Sequence, residues 1–440
     1  MKTKKMLITA IATIAFIAST QAQNVNIPDT NFKAALVNNS SINTNMDAEI
    51  QVSEASVFNG YINVSGLGIS DLTGIEAFVL LDSLDCSYNQ LAALNVSACS
   101  VLTTLDCSYN YPISSLDVSA NSLLTYLDCS AGYTHGGSGF IGQLTSLDLS
   151  SNAALTYLNC NWNQLASLDF PSSSILDYLD CGRNNFTSLN ISSCTALTTL
   201  KCYANLLAGI NLSSNTALVY LDCNNNQLIS LNVSANTSLA NLNCSYNHPM
   251  TSLDVSANTL LTYLDCSGCV VWDSGSWSES QLAYLNVKNG NNINMSDHSF
   301  FALCNPNLTC IEVDNASWST TNWAGYSYLV EIFWPGVKGG SYFEQYFQSN
   351  IDAQSFYSEN CSGVGITDNN ESTSPMYYPN PTSDIIYLSE PANISLSDFS
   401  GKLLLEQKNT NQLDISSLPA GMYFLSFGEN NKHTFKVIKE

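Results

Sequence analysis

Positive charge is scarce in this chain. Thirteen lysines and arginines face 36 aspartates and glutamates over 440 residues, a net charge of −23. Phosphate binding needs clustered Lys and Arg, so this balance argues against nucleic acid and anionic membrane as partners. It suits cations or basic proteins better. Long hydrophobic runs are also lacking. The one candidate, residues 6–18, is too short for a comfortable membrane span. It follows Lys2, Lys4 and Lys5 and precedes the small residue Ala22. Residues 1–22 therefore read as a secretory signal, and the mature chain as exported without a membrane span. Catalytic motifs are missing as well. There is no His-Glu-x-x-His, no Gly-x-Ser-x-Gly and no phosphate loop. The four histidines, His135, His248, His298 and His433, are scattered. These absences argue against an enzyme. No segment of the repeats shows an apolar helical period either.

Cysteine, by contrast, is plentiful and regular. Cys86, Cys107, Cys129, Cys160, Cys181, Cys202, Cys223, Cys244 and Cys266 each close the phrase Leu-x-x-Leu-x-Cys, at intervals of 21 or 22 residues and once 31. A fixed period near 20 residues predicts a solenoid, whose turns bury their apolar sides by stacking. Fifteen cysteines in an exported chain would ordinarily suggest a disulfide framework. The spacing points instead to a column of small buried thiols, mostly free. A second, weaker phrase sits halfway round each turn, as in Leu116-Asp-Val118 and Leu231-Asn-Val233. Both long sides of the coil are therefore expected to be extended. Asn89, Asn110, Asn163, Asn184, Asn205, Asn226 and Asn247 form one corner column, and Asn121, Asn152, Asn215, Asn236 and Asn258 a second. Their amides can satisfy buried backbone groups of neighbouring turns.

The pattern Leu-x-x-Leu-Asp-Cys-Ser-x-Asn-x-Leu, complete at residues 81–91, resembles the leucine-rich repeat family in its short bacterial subclass with nested half-repeats. The resemblance implies a mainly β fold: a leucine-rich repeat solenoid over 81–313, with a helical N-terminal cap at 23–80. Residues 282–287 and 308–313, with Val in place of Cys, are expected to close the array.

Within the N-terminal cap, residues 28–37 suit a short helix. Asn43, Asn45, Asp47, Glu49 and Glu54 are spaced like the oxygen ligands of an EF-hand calcium loop, but position 1 is Asn and position 6 is Ala48. Calcium binding and a metal-free cap of the same shape both remain open. Residues 314–365 resemble the closing segment of secreted repeat proteins of this subclass, which implies a disulfide between Cys310 and Cys361. Into it is inserted an aromatic-rich stretch, 324–350, either an enlarged cap or a binding platform.

Residues 366–376 read as a polar linker. Beyond it come Tyr377-Tyr-Pro-Asn-Pro-Thr382, then Leu418-Pro-Ala-Gly-Met-Tyr423, then Lys436-Val-Ile-Lys439. This order resembles the type A sorting domain of type IX secretion, over 377–440. The resemblance implies a C-terminal β-sandwich sorting domain, contact with that secretion machinery, and a final location outside the cell or on the outer-membrane surface.

The candidate ligand-binding residues lie along the solenoid. Tyr126, Tyr157, Tyr178, Tyr220 and Tyr263 form a column that alternation turns outward, followed by Tyr284. Beside it stand Asp128, Asp180 and Asp222, expected in water on the same face and interrupted by Lys201. Trp162 and Arg183 lie two residues past their ladder cysteines. Tyr133 and His135 sit in a ten-residue insertion, and Trp272 in a stretch where the repeat breaks. Exposed aromatics beside acids suit a protein or glycan ligand. The leading expectation is a non-catalytic secreted or cell-surface binding or adhesion protein. A structural spacer without a specific ligand is the alternative, and an enzyme with its site in 324–350 a more distant one. No cofactor is expected apart from the open question of calcium.

Overall fold

The computed structural model describes residues 23–132, 142–268, 271–273, 276–278, 280–296, 298–323, 328–332, 343–347, 351, 355–361, 377–378, 385–398, 402–419, 421–427 and 433–439. Residues 1–22, expected to be a signal segment, the 133–140 loop and residues 366–376, expected to be a linker, lie outside these. Contacts divide the chain into two units: one runs to Leu228 and adds Ala235–Cys244, and the other holds Ile229–Ser234 and the described residues from Ser245 onward.

The first unit opens with helix α1 (Thr30–Val37), which starts where Asp29 accepts the N–H groups of Asn31 and Phe32 and which buries Phe32 and Leu36. Such a cap contributes about 1 kcal/mol. The single turn α2 (Val52–Ala55) is closed by a reciprocal capping box of Gln51 and Glu54. Nine three-residue strands follow: β1 (Tyr61–Asn63), β2 (Ser83–Asp85), β3 (Thr104–Asp106), β4 (Tyr126–Asp128), β5 (Tyr157–Asn159), β6 (Tyr178–Asp180), β7 (Thr199–Lys201), β8 (Tyr220–Asp222) and β9 (Asn241–Asn243). Each pairs in parallel with the next, in one register that sets Leu opposite Leu, from Leu84↔Leu105 to Leu221↔Leu242. The middle residue of each strand is buried.

The ladder cysteine comes one residue later and continues the hydrogen bonding: Cys86 N–H donates to Asp106 at 2.8 Å and Cys181 N–H to Lys201 at 2.8 Å. The thiols from Cys86 to Cys244 are buried and form no disulfide. Burial drives them far above the ordinary thiol range, so the reactive thiolate is disfavoured. The corner asparagines work as their spacing implies. Asn184 Nδ2 donates to the carbonyls of Cys160, Cys181 and Gly182, and its Oδ1 accepts from Leu165 N–H.

The opposite side of the coil departs from expectation. Among the described residues of this unit it makes only isolated bridges, Asn95↔Asp117 and Asp148↔Asp169. The chain spends that half-turn on consecutive tight turns, such as Cys99 N–H to Val96 and Leu102 N–H to Cys99, which leave little extended backbone to pair.

In the second unit β11 (Tyr263–Asp265) pairs in parallel with β15 (Phe300–Phe301). On the other side β10 (Ser252–Asp254), β14 (Tyr284–Asn286), β16 (Cys310–Glu312) and β19 (Phe356–Ser358) form a parallel sheet. This corrects the expectation for 282–287 and 308–313. They stack on the halfway phrase Leu253-Asp-Val255, not on the cysteine strands. Their Val is the residue with which that phrase ends. The Cys310–Cys361 disulfide is present, with Cα atoms 5.8 Å apart, and Cys304 is disulfide-bonded too. Helix α3 (Ala316–Asn322) leads to Trp323, fully buried against Phe300 at 4.4 Å. The broken-repeat stretch is a hairpin of β12 (Val271–Asp273) and β13 (Ser276–Ser278). The aromatic insertion carries another, β17 (Tyr328–Ile332) with β18 (Phe343–Phe347).

The C-terminal module is an antiparallel sheet of β20 (Tyr377–Tyr378), β21 (Ile385–Ser397), β22 (Leu403–Asp414), β23 (Gly421–Phe427) and β24 (His433–Lys439). β21 shifts register between Tyr387 and Ala392, and residues from both sides of that break, Ile386 and Ile394 with Leu396, Leu425 and Val437, share one core. Two of the sequence motifs meet here: Lys439 Nζ donates to the carbonyls of Ser416 and Leu418, and Tyr423 hydroxyl to Pro419.

Candidate recognition face

The ladder strands dictate the face. With Leu turned inward at the centre of each strand, the residues before and after it turn outward and stack in columns at the strand spacing, about 4.8 Å. Tyr126, Tyr157 and Tyr178 stack face to face, with centroids 4.4 and 4.5 Å apart and planes within 7°. Each contact contributes roughly 0.5–1.5 kcal/mol beyond its buried area. The stacked rings are half-buried, not free-standing, and they offer solvent their edges and hydroxyls. Burial, then the Asp128 and Asp106 carboxylates, push the Tyr126 phenol up to about 12. Tyr157 is raised further, by burial and its two tyrosine neighbours.

The column continues through a cation. Thr199 pairs with Tyr178 and Tyr220 in register, and Lys201 Nζ hydrogen-bonds the Tyr178 hydroxyl at 3.1 Å while lying over the rings of Tyr178 and Tyr220, 5.3 and 5.8 Å from their centroids. Lys201 therefore joins the tyrosine column rather than merely breaking the acidic one. Burial works against its charge, but the Tyr178 hydroxyl and Asp180 outweigh it and raise the ammonium above its usual range. It also stands in register between Asp180 and Asp222.

The aspartates correct the reading from sequence. They were expected in water; Asp180 is only 5 % and Asp128 9 % exposed. Each folds back on its own turn. Asp128 Oδ1 accepts from the N–H and hydroxyl of Ser130, Asp180 Oδ1 from Gly182 N–H, and Asp222 Oδ1 from Asn224. Neighbouring amides take the other oxygen: Asn159 donates to Asp128 Oδ2 at 3.0 Å and Asn161 to Asp180 Oδ2 at 3.3 Å. Burial still dominates and pushes Asp106, Asp128, Asp180 and Asp222 above the ordinary carboxylate value.

A second row runs along the turn after the strands. Tyr88, Tyr109, Trp162, Arg183, Ala204 and Asn225 all have φ between 51° and 58°. Left-handed backbone in residues other than Gly or Asn costs roughly 1–3 kcal/mol each, so the fold must over-determine it. Tyr88 and Tyr109 stack at 4.1 Å, and the Arg183 guanidinium lies 4.1 Å over the Trp162 ring. Tyr203 fills the space left by Gly182, where a Cβ would come within 2.4 Å of its ring. The sequence signal for that pair was a small-for-large exchange at one repeat position. Tyr203, Asn159, Asn161 and Tyr61 are further members of the face that the motif reading missed.

Other candidates separate. Tyr133 and His135 lie outside the described residues, and Trp272 is described by its backbone alone, within β12. In the second unit Tyr263 packs edge-on against Phe301. Tyr284 belongs to the other side, where its hydroxyl donates to Glu312 at 2.8 Å.

The N-terminal loop is held by its own donors. Glu54 Oε1 accepts from Thr44 N–H, Thr44 hydroxyl and Asn45 N–H, and its Oε2 from Gln51 N–H. Asp47 Oδ2 accepts from the amides of Asn45 and Gln51, Glu49 pairs with Lys33 at 2.6 Å, and Asn43 uses its amide on the carbonyls of Val37 and Asp47. Burial opposes the Glu54 charge, but the bonds from Gln51, Thr44 and Asn45 outweigh it and hold the carboxyl below its usual range. Donors of the chain itself are thus directed at the carboxylates of Asp47, Glu49 and Glu54, while Asn43 Oδ1 is buried without a partner. Among the described residues no group of three His, Cys, Asp or Glu side chains is placed to hold a metal. No helix among them is long and apolar enough to cross a membrane.

Repeat phrase, register and thiol column together define a leucine-rich-repeat-type β-solenoid. At its C-terminal end the chain carries a secretion sorting domain: residues 376–440 match the family model of the secretion system C-terminal sorting domain. That domain directs the protein to the cell surface or exterior and engages the secretion machinery. No curated protein matches the sequence. Among solved structures, the functional domain of InlJ from Listeria monocytogenes, which includes a cysteine ladder, is 22 % identical, covers 95 % of this chain and 98 % of its own, and has a TM-score of 0.35. YopM from Yersinia enterocolitica is 23 % identical over 58 % of this chain and 59 % of its own, with a TM-score of 0.34. A leucine-rich repeat protein of Leptospira interrogans is 17 % identical over 60 % and 91 %, with a TM-score of 0.33. At such identities and scores the fold rests on this chain's own register.

Proposed function

We propose that the protein is a non-catalytic surface or released binding protein, and that its ligand is a protein held on the ladder-strand face around Tyr126, Tyr157, Tyr178, Lys201 and Tyr220. One observation carries the choice of protein over glycan. Sugar stacking needs an open aromatic face, and here the central ring faces cover one another at 4.4 and 4.5 Å. What remains is a comb of phenol edges and hydroxyls with amides and half-buried acids beside it, chemistry suited to a polar protein surface.

A second reading, a spacer without a ligand, draws support from the aspartates, since each has a structural partner in its own turn. Full-length protein and a Tyr157→Ser/Tyr178→Ser variant, matched by circular dichroism, are probed in parallel on an array of surface and matrix proteins and on a glycan array. Protein-array signals lost in the variant support the proposal. Glycan signals lost in the variant contradict the choice of ligand. Equal behaviour of both forms on every surface favours the spacer.

A further inference from the structure

Two pairs of residues in this row stack on one another across adjacent turns, and each stack covers one ring face. Tyr109 covers one face of Tyr88 at 4.1 Å and 10°. Arg183 covers one face of Trp162 at 4.1 Å. The turn preceding Tyr88 puts Gly66 at the equivalent position: Gly66 N–H donates to Ser87 just as Tyr88 N–H donates to Ser108. Gly66 has φ 67°, and a Cβ added there would meet nothing within 4 Å. The outer face of Tyr88 is therefore open, and the residue is 59 % exposed.

The surroundings are acidic. Asp85 and Asp106 stand in register on β2 and β3, Tyr61 hydroxyl donates to Asp85 Oδ2 at 3.3 Å, and the sequence from residue 34 to 182 contains no lysine or arginine. Lys33 is engaged by Glu49. Elsewhere in the same row the chain closes an aromatic face with its own guanidinium. Here it leaves the face open, next to carboxylates, with no cation of its own to fill it.

We infer that the open face of Tyr88, with Asp85 and Asp106 beside it, is a subsite for a cationic side chain, arginine before lysine, contributed by a basic segment of the protein partner. The inference rests on the protein-binding reading and sharpens it: the partner is basic where it meets the N-terminal end of the face. The electron-rich ring attracts the cation, and the carboxylates add a charge attraction that salt screens.

The test titrates the full-length protein with capped tri-arginine, tri-lysine and the neutral sugar cellotriose, following binding by NMR and calorimetry. Tri-arginine should bind saturably, more tightly than tri-lysine, and several-fold more weakly when the salt is raised from low to physiological concentration. Tyr88→Ser should lower its affinity at least tenfold, and Tyr88→Phe, which keeps the ring, should retain most of it. Gly66→Arg should block it by laying a guanidinium on Tyr88, as Arg183 does on Trp162. Tyr88 and Arg183 already show that other turns hold Tyr and Arg at this backbone conformation, and a melting curve checks the fold. Unchanged tri-arginine affinity in Tyr88→Ser would overturn the inference, as would cellotriose binding in place of tri-arginine. The two readings separate cleanly. If the array partner is lost in Tyr157→Ser/Tyr178→Ser but held equally by wild type and Tyr88→Ser, the binding face stands and the cation subsite falls.

Discussion

The two sides of the coil use nearly the same phrase and are built differently. On the cysteine side the phrase forms a continuous parallel ladder, and the corner asparagines Asn89, Asn110, Asn184, Asn205 and Asn226 use both amide atoms: Asn205 Nδ2 donates to the carbonyls of Cys181, Cys202 and Tyr203, and its Oδ1 accepts from Phe186 N–H. On the other side of the first unit pairing shrinks to isolated bridges. The amides there still donate, Asn215 to Ile191 and Cys194, but the Oδ1 atoms of Asn121, Asn152 and Asn215 are buried without a partner. Order is concentrated on the side that displays tyrosines, acids and Lys201. A recognition face needs its side chains held in fixed positions by their supports.

Substitutions can break this comparison. The largest effect is expected for Asn184→Ala, which strands the Leu165 N–H in the interior and takes one of two donors from each of the Cys160, Cys181 and Gly182 carbonyls. A loss of about 3–5 kcal/mol in chemical denaturation follows, against about 1–3 kcal/mol for Asn215→Ala. Equal losses would erase the distinction between the sides. Next comes Cys181→Ser, expected to lose about 1–3 kcal/mol because the hydroxyl enters an apolar column without a partner. Cys181→Ala should lose less, although it removes more atoms.

Smaller and opposite in sign is Asp180→Asn. Asp180 is raised above its ordinary value of 3.8 by burial, so the folded state binds the proton more tightly than the unfolded one. Its favourable contribution is fully present below about pH 4 and is lost as pH rises through the raised folded value. The variant should melt higher than wild type at pH 7, and the gain should vanish as the pH falls toward 4. Asn159 and Asn243 already occupy this strand position in other turns, so the amide fits. The smallest effect belongs to Tyr157→Phe, within about 0.5 kcal/mol of wild type in stability. Any larger change in partner affinity would assign the phenol hydroxyl to binding.

Much of this was legible in the sequence because the repeat forces identical residues into identical environments. The thiol column, the asparagine corners and the tyrosine column all follow from period and alternation, whereas the Cys310–Cys361 bridge was implied by the resemblance of residues 314–365 to the closing segment of secreted repeat proteins. The side switch at 282–313 has its own mark in the sequence: Val287 and Val313 match the Val of the halfway phrase, Val118, Val233 and Val255. The burial of Asp180 was not legible, since alternation tells which face a residue is on but not how far its neighbours close over it. The place of Lys201 was hidden for a similar reason. Its long stem reaches sideways to rings on two adjacent turns, which a column-by-column reading does not anticipate. In the C-terminal module the strands ran longer than their apolar cores suggested. β21 extends through polar residues to Ser397, carried by its pairing with β22 and β23.

The face exists only if the strands keep one register with their sulfurs inside. Counting reactive thiols in the native protein, then in denaturant, measures that directly. The eleven cysteines outside disulfides among the described residues should be unreactive toward a soluble thiol reagent while the protein is folded and should all react on unfolding. Rapid labelling of any ladder cysteine from Cys107 to Cys223 in the native state would contradict the register and, with it, the placement of the tyrosine face.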